Sequence, residues 1–490
     1  MTSPFPRRLG RLPSVPTPTA LCVTVAVALA GCSTTTAGAE PSRPLGAAAP
    51  PSPAGPGNVG APGLGDPYFP DEGNGGYDVA RYDLDIGYEP SRDRLTGVAT
   101  LTMTAGHALR RFNLDLAGLT VSKVTVDGRA AEHRQDDDEL IVTPSRTVPQ
   151  GRRFRTVVTY AGTPRPAGGS GALGRYGWQH TDDGAIVASQ PNGAQTWFPA
   201  NDHPRDKAAF SFTVDVPGGL WAVAPGRLVR RENEGARTVH EWDAPEPMVT
   251  YLASVAIGRY DVRQGRTPRG IPMITAVDPA SPGNPARFAA DTGRLTDELT
   301  ALLGPYPFGS TGGTVDAQRT GYALEVQTRS VYGGFDPDGE IIAHELAHQW
   351  FGNSVSLTQW HDIWLNEGLA TYVQWVSEAA AGGPAVDDIM ADLCRRSADD
   401  DWWKVRPGDP GATRLFAEQV YDRGGMTLLA LRRELGAPML HRILRTWAAR
   451  HRHGSASTPR FIALAEELSG RQLDALFDAW LYTPAKPEDC

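Results

Sequence analysis

Two histidines and two glutamates carry the most specific chemical signal in this 490-residue chain. His344 and His348 lie four positions apart in His344-Glu345-Leu346-Ala347-His348, inside a run from Ile341 to Phe351 rich in helix formers. On a helix both imidazoles project from one face, a turn apart, and can reach one ion. A hydrolytic zinc takes three protein ligands and keeps a fourth position for water, whose pKa it lowers towards ~7. Glu367 supplies the third ligand from a second helical stretch, Trp364 to Tyr372, and the eighteen residues after His348 are enough to fold it back antiparallel. Glu345 is turned about 100° from His344 around the helix, so it overhangs the open position without binding the metal and is placed as general base. One zinc per chain is the expected cofactor; cobalt and manganese suit similar ligands less commonly.

These residues need a scaffold, and the pattern of apolar residues divides it in two. Tyr82, Leu84, Ile86 and Tyr88 alternate with Asp83, Asp85 and Gly87, the period of a half-buried strand. Similar runs at 112–116, 121–126 and 154–160 extend an all-β domain over residues 67–262. The period then changes: Leu295, Leu299 and Leu302 share one helical face before Gly304-Pro305. Helices are expected to dominate 263–490, including 426–435, 438–449 and one capped by Thr458 with Pro459 at its first position. The fold class is therefore α+β and multidomain.

Arg7, Arg8 and Arg11 precede an apolar run from Ala20 to Ala30 that ends in Leu29-Ala30-Gly31-Cys32. This order suits a bacterial lipoprotein signal over residues 1–31, with Cys32 lipidated; an ordinary secretory signal is the alternative, and the run is too short to span a bilayer. Residues 32–66, rich in Pro, Gly, Ala, Ser and Thr, read as a flexible tether. The expected location is extracytoplasmic and membrane-anchored, with secretion as second choice. A net charge of -9 and only four lysines argue against nucleic acid as a partner. Cys394 and Cys490 remain in a compartment where a disulfide could persist, and nothing in the sequence decides whether they pair.

From about Gly65 to Pro487 the chain resembles the M1 family of zinc metallo-aminopeptidases, which are gluzincins, in a short lipoprotein form. The resemblance rests on the zinc motif with its eighteen-residue spacing, Gly304-Pro305-Tyr306-Pro307-Phe308, Trp350-Phe351-Gly352-Asn353, Trp364-Leu365-Asn366-Glu367-Gly368 and Tyr421-Asp422-Arg423-Gly424. It implies an N-terminal β-sheet saddle followed by a mainly helical, thermolysin-like catalytic domain. It also implies hydrolysis of the N-terminal peptide bond, with peptides bearing a free N-terminus as substrates and a monomeric chain. Ending at Cys490, the chain is expected to lack the family's large C-terminal helical domain and to have a more open site.

The resemblance further assigns roles residue by residue. Tyr421 takes the place of the tyrosine that hydrogen-bonds the oxyanion, with Arg423 where the family has lysine. Tyr322-Ala323-Leu324-Glu325-Val326 matches the amine-recognition segment Gly-Ala-Met-Glu-Asn at Ala323 and Glu325, and departs from it at Tyr322 and Val326. Glu325 would pair with the substrate α-ammonium. Counting eight back from Phe198 in Phe198-Pro199-Ala200-Asn201-Asp202 reaches Gln190, the candidate second amine ligand. The competing readings are a zinc endopeptidase, another gluzincin hydrolase such as an epoxide hydrolase, and a surface lipoprotein whose active site is retired.

Overall fold

The computed structural model describes residues 54–55, 58–168, 174–318 and 320–490. The signal segment, Cys32 and the tether up to residue 53 lie outside the described residues. Residues 58–66, which composition places in the tether, are packed into the fold. Gly60 N–H donates to Arg111 O at 2.9 Å, and the buried Asp66 carboxylate accepts from Tyr68 N–H and Trp360 N–H. A compositional boundary misses this because the anchoring is done by backbone groups and one aspartate, not by large apolar residues.

Among the described residues the N-terminal half is built on an eight-stranded sheet in the spatial order 227–234, 237–249, 207–217, 77–89, 94–105, 153–162, 120–126 and 129–130. Its pairs are antiparallel except for 207–217 beside 77–89, where Phe212 sits opposite Leu84. The alternation seen in the sequence is the alternation of the sheet: Tyr82, Leu84, Ile86 and Tyr88 are buried, and Tyr82 stacks on Phe210 with ring centroids 4.7 Å apart. This half also holds a three-stranded sheet, ordered 112–115, 139–143 and 132–136, and a five-stranded sheet that includes 175–180, 185–188 and 256–258 and carries Gln190 just beyond one strand end.

The catalytic half departs from the expectation that helices take over at 263. It contains a five-stranded mixed sheet, ordered 261–266, 272–277, 311–316, 330–333 and 323–324. The strand Thr311–Asp316 reads TGGTVD, a pattern without apolar alternation, because it is buried on both faces. Its glycines are there for close approach: a Cβ on Gly312 would lie 1.7 Å from Ile274 O, and one on Gly313 2.6 Å from the Phe288 ring.

Helix α1, Pro285–Leu303, packs its Leu295, Leu299 and Phe288 face inward; Asn284 caps it by accepting from Ala286 and Arg287 N–H. Helix α2, Gly339–Ala347, starts at the Asp338 cap and is followed by His348 in helical geometry, four residues short of the expected Phe351. Then come α3, Trp364–Ala380, α4, Val386–Leu393, and α5, Glu418–Leu435, which begins eight residues before the expected 426. The last pair is α6, Ala437–Arg450, and α7, Thr458–Ser469, where Ser457, not Thr458, occupies the cap position. The Thr458 hydroxyl donates instead to Asp362. Cys394 and Cys490 form a disulfide that ties the end of α4 to the chain terminus. No helix among the described residues is long and apolar enough to cross a membrane.

Candidate active site

Two helices build the centre of the site. Helix α2 presents His344 and Glu345, with His348 one residue past its end, and α3 presents Glu367 from its first turn. His344 Nε2 and His348 Nε2 lie 3.5 and 3.3 Å from Glu367 Oε2. Tetrahedral ligands at zinc distances of about 2.0–2.1 Å are separated by roughly 3.3–3.4 Å, so both histidine-to-Glu367 separations suit one ion, and the three ligand atoms all lie within 4.8 Å of one another. The outer nitrogens are held as well: His344 Nδ1 meets Gln374 Oε1 and His348 Nδ1 meets Phe351 O, both at 3.1 Å. Each bond requires a proton on Nδ1 and leaves the Nε2 lone pair facing inward. The donor set and its geometry therefore fit a divalent zinc.

The carboxylates around these nitrogens make the space between them favourable to positive charge. Burial alone would raise the Glu367 carboxyl, but His348 and His344 override it and hold the group at about 2. Burial alone would lower His348; Glu367 and Glu325 override it and push the imidazole to about 10. Glu345 is raised well above the carboxylate range, first by burial and then by Glu325 and Glu367, and its Oε2 is buried with no hydrogen-bond partner. An unpartnered basic oxygen beside the metal ligands is what proton abstraction needs.

Helix α5 brings Tyr421 to the opposite side, its ring stacked on His344 at 6.0 Å. What sets this approach is a glycine pair: a Cβ on Gly368 would lie 2.8 Å from Gly424 Cα, and the reverse distance is the same. Gly368 follows Glu367 and Gly424 is one turn after Tyr421, so the tight α3–α5 crossing fixes the phenol against the metal ligands. Burial and the nearby Glu367 and Glu325 raise Tyr421 well above the usual phenol range. It therefore stays protonated and can donate. Arg423, fully buried, donates to the carbonyls of Trp403, Val405, Ala479, Thr483 and Ala485, so α5 is tied to the C-terminal segment.

A cleft of about 350 Å³ runs across these groups. Glu325 lines it and is buried, with Oε1 accepting from Gln190 Nε2 at 3.0 Å and from Tyr251 Oη at 3.3 Å. Burial raises its pKa, and a cation placed beside it would offset that cost. Ala323 lines the same cleft, and so does Tyr322, whose hydroxyl donates to Arg175 O at 3.0 Å and whose ring thereby spans to the N-terminal half. Gln374, Trp375 and Asp422 line it as well. All the site residues expected from the sequence within the described region thus converge on one cleft. Tyr251 and Gln374 were not expected. Tyr251 sits in a short turn with no motif around it, whereas Gln374 could have been found as the residue seven after Glu367, two helical turns along the same face.

Comparison with known proteins adds the following. The model of the peptidase family M1 domain matches residues 337–480, and that of the peptidase M1 N-terminal domain matches 79–252. Aminopeptidase M1-D of Oryza sativa subsp. japonica is 24% identical over 446 residues, covering 82% of this chain and 49% of that protein. Leucyl aminopeptidase of Saccharolobus solfataricus is 25% identical over 406 residues, covering 76% and 50%. The chain spans about half the length of these curated relatives. A solved M1 zinc metallopeptidase from Deinococcus radiodurans superposes with a TM-score of 0.80 at 28% identity, over 87% of this chain and 99% of that one. A variant of that enzyme has been solved with a Tyr-Ser-Ala substrate bound. Zinc is accordingly the ion this site is built for.

Proposed function

Since the chain belongs to the M1 peptidase family, we propose that it is a zinc aminopeptidase that removes the first residue of peptides with a free N-terminus. The observation that carries this reading is the buried Glu325 carboxylate in the same cleft as the zinc ligands. Zinc held by His344, His348 and Glu367 supplies Lewis-acid polarisation of the scissile carbonyl and acidifies water. Glu325, aided by the Gln190 amide oxygen, pairs with the α-ammonium and so presents the first carbonyl to the reacting centre. Glu345 takes a proton from the attacking water as its oxygen bonds to the carbonyl carbon, then gives that proton to the amine as the C–N bond breaks. Tyr421 donates its phenolic hydrogen to the developing oxyanion. Ala323, on the two-residue edge strand, lines the cleft in which the peptide would lie.

The signal ending at Cys32 supports a lipid-anchored protein at the outer side of a bacterial membrane, where peptides would be its substrates, and we take the chain to act as a monomer. Fluorogenic aminoacyl amides, unblocked and N-acetylated, assayed with and without a chelator, test the activity. Cleavage of unblocked substrates alone, abolished by chelator and restored by zinc, is expected. Equal cleavage of blocked substrates would favour the endopeptidase reading.

A further inference from the structure

The exopeptidase reading requires that Glu325 stand at a fixed distance from the metal ligands, yet its own element cannot hold it there. Ala323–Leu324 is a two-residue strand at the edge of the catalytic sheet, and residues 325–328 leave that sheet as a turn. What grips the turn comes from the zinc-ligand segment. Asn353 Nδ2 donates to Glu325 O at 2.6 Å. Gln349, next to His348, donates through Nε2 to Glu325 O at 3.3 Å and Val326 O at 3.4 Å, and its Oε1 accepts from Thr328 N–H at 2.8 Å. Both amides are buried.

The turn they hold is one the chain would not adopt unaided. Thr328 is β-branched and has a φ of 67°, a left-handed conformation strongly disfavoured for such a side chain. Its Oγ1 accepts from Gly226 N–H at 2.8 Å, so the N-terminal half pins the same residue. The strap is itself anchored: Asn353 N–H donates to His348 O at 3.0 Å, and Lys207 Nζ, from the large N-terminal sheet, donates to Asn353 O at 2.8 Å and Ser354 O at 2.9 Å. A metal ligand, the strap and the ammonium carboxylate therefore form one continuous hydrogen-bonded unit. The Val326 side chain packs against Ile186, Leu324 and Val331.

We infer that Asn353 and Gln349 are positioning residues that set the distance from Glu325 to the zinc ligands, and with it the register of cleavage one residue from the N-terminus. The inference rests on the aminopeptidase reading. Neither side chain touches substrate; both act through the main chain of Glu325. A shift of that carboxylate by an ångström would misplace the scissile carbonyl, an error that costs up to about a hundredfold in rate.

The experiment compares wild type, Asn353→Ala and Gln349→Met, each zinc-loaded, on a leucyl fluorogenic amide and its N-acetylated form, with enzyme raised until blocked cleavage is measurable. The ratio of kcat/KM between the two substrates is expected to fall about tenfold in each variant, mainly through KM of the unblocked one, with one zinc retained per chain. A merely structural role would lower both substrates alike and leave the ratio unchanged, which overturns the inference. A wild type that does not discriminate sinks the aminopeptidase reading instead. Gln349→Met preserves side-chain volume, so it decides the matter alone if Asn353→Ala does not fold.

Discussion

The candidate zinc ligands and Glu325 line one cleft and are all buried, but they are held by different kinds of structure. His344, Glu345, His348 and Glu367 come from two helices and one short connector, so their mutual positions follow from helical geometry. Glu325, Gln190 and Tyr251 span 135 positions of sequence and meet through loops from both halves of the molecule. Their charges differ accordingly. The two imidazoles hold Glu367 ionised at about 2, whereas burial raises Glu325, which gains most when a cationic substrate arrives. The first group is arranged to hold a metal ion, and the second is one whose burial cost a cation would offset.

If that division is right, the two regions should break differently. The largest loss is expected for Glu345→Gln: zinc content stays at one per chain while kcat falls about a thousandfold, measured by metal analysis and steady-state turnover. Lost zinc would mean that Glu345 belongs to the metal site itself. Tyr421→Phe should lower kcat by about a hundredfold with KM and zinc little changed, as for removal of one oxyanion donor. Gly424→Ala sharpens the point at the level of packing. Alanine normally favours a helix over glycine by about 1 kcal/mol. Here the added Cβ would press on Gly368 Cα at 2.8 Å, so thermal unfolding should show destabilisation of about 1–3 kcal/mol together with reduced turnover.

The same division explains what could be read from the sequence. The zinc ligands and Glu345 were legible because their spacing is local and periodic, and the strand at 82–88 because its period matches a half-buried sheet. Glu325, Ala323, Gln190 and Tyr421 were reached only through resemblance, since no local pattern ties residue 190 to residue 325. Tyr251 was missed for the same reason. The catalytic sheet was missed at Thr311–Asp316, where close packing selects glycine over the apolar residues that mark a strand. At 58–66 the chain looked like tether because its anchors are backbone hydrogen bonds and Asp66, which composition does not weigh.

The central claim is that a cleft lined by both the zinc ligands and Glu325 cleaves only beside a free amine. Glu325→Ala tests it most directly, assayed zinc-loaded on unblocked and N-acetylated leucyl amides. The account predicts that kcat/KM for the unblocked substrate falls about a hundredfold while that for the blocked one changes little, so that the preference for a free N-terminus collapses. A variant that keeps the wild-type preference would show that something other than Glu325 reads the ammonium, and would contradict the account.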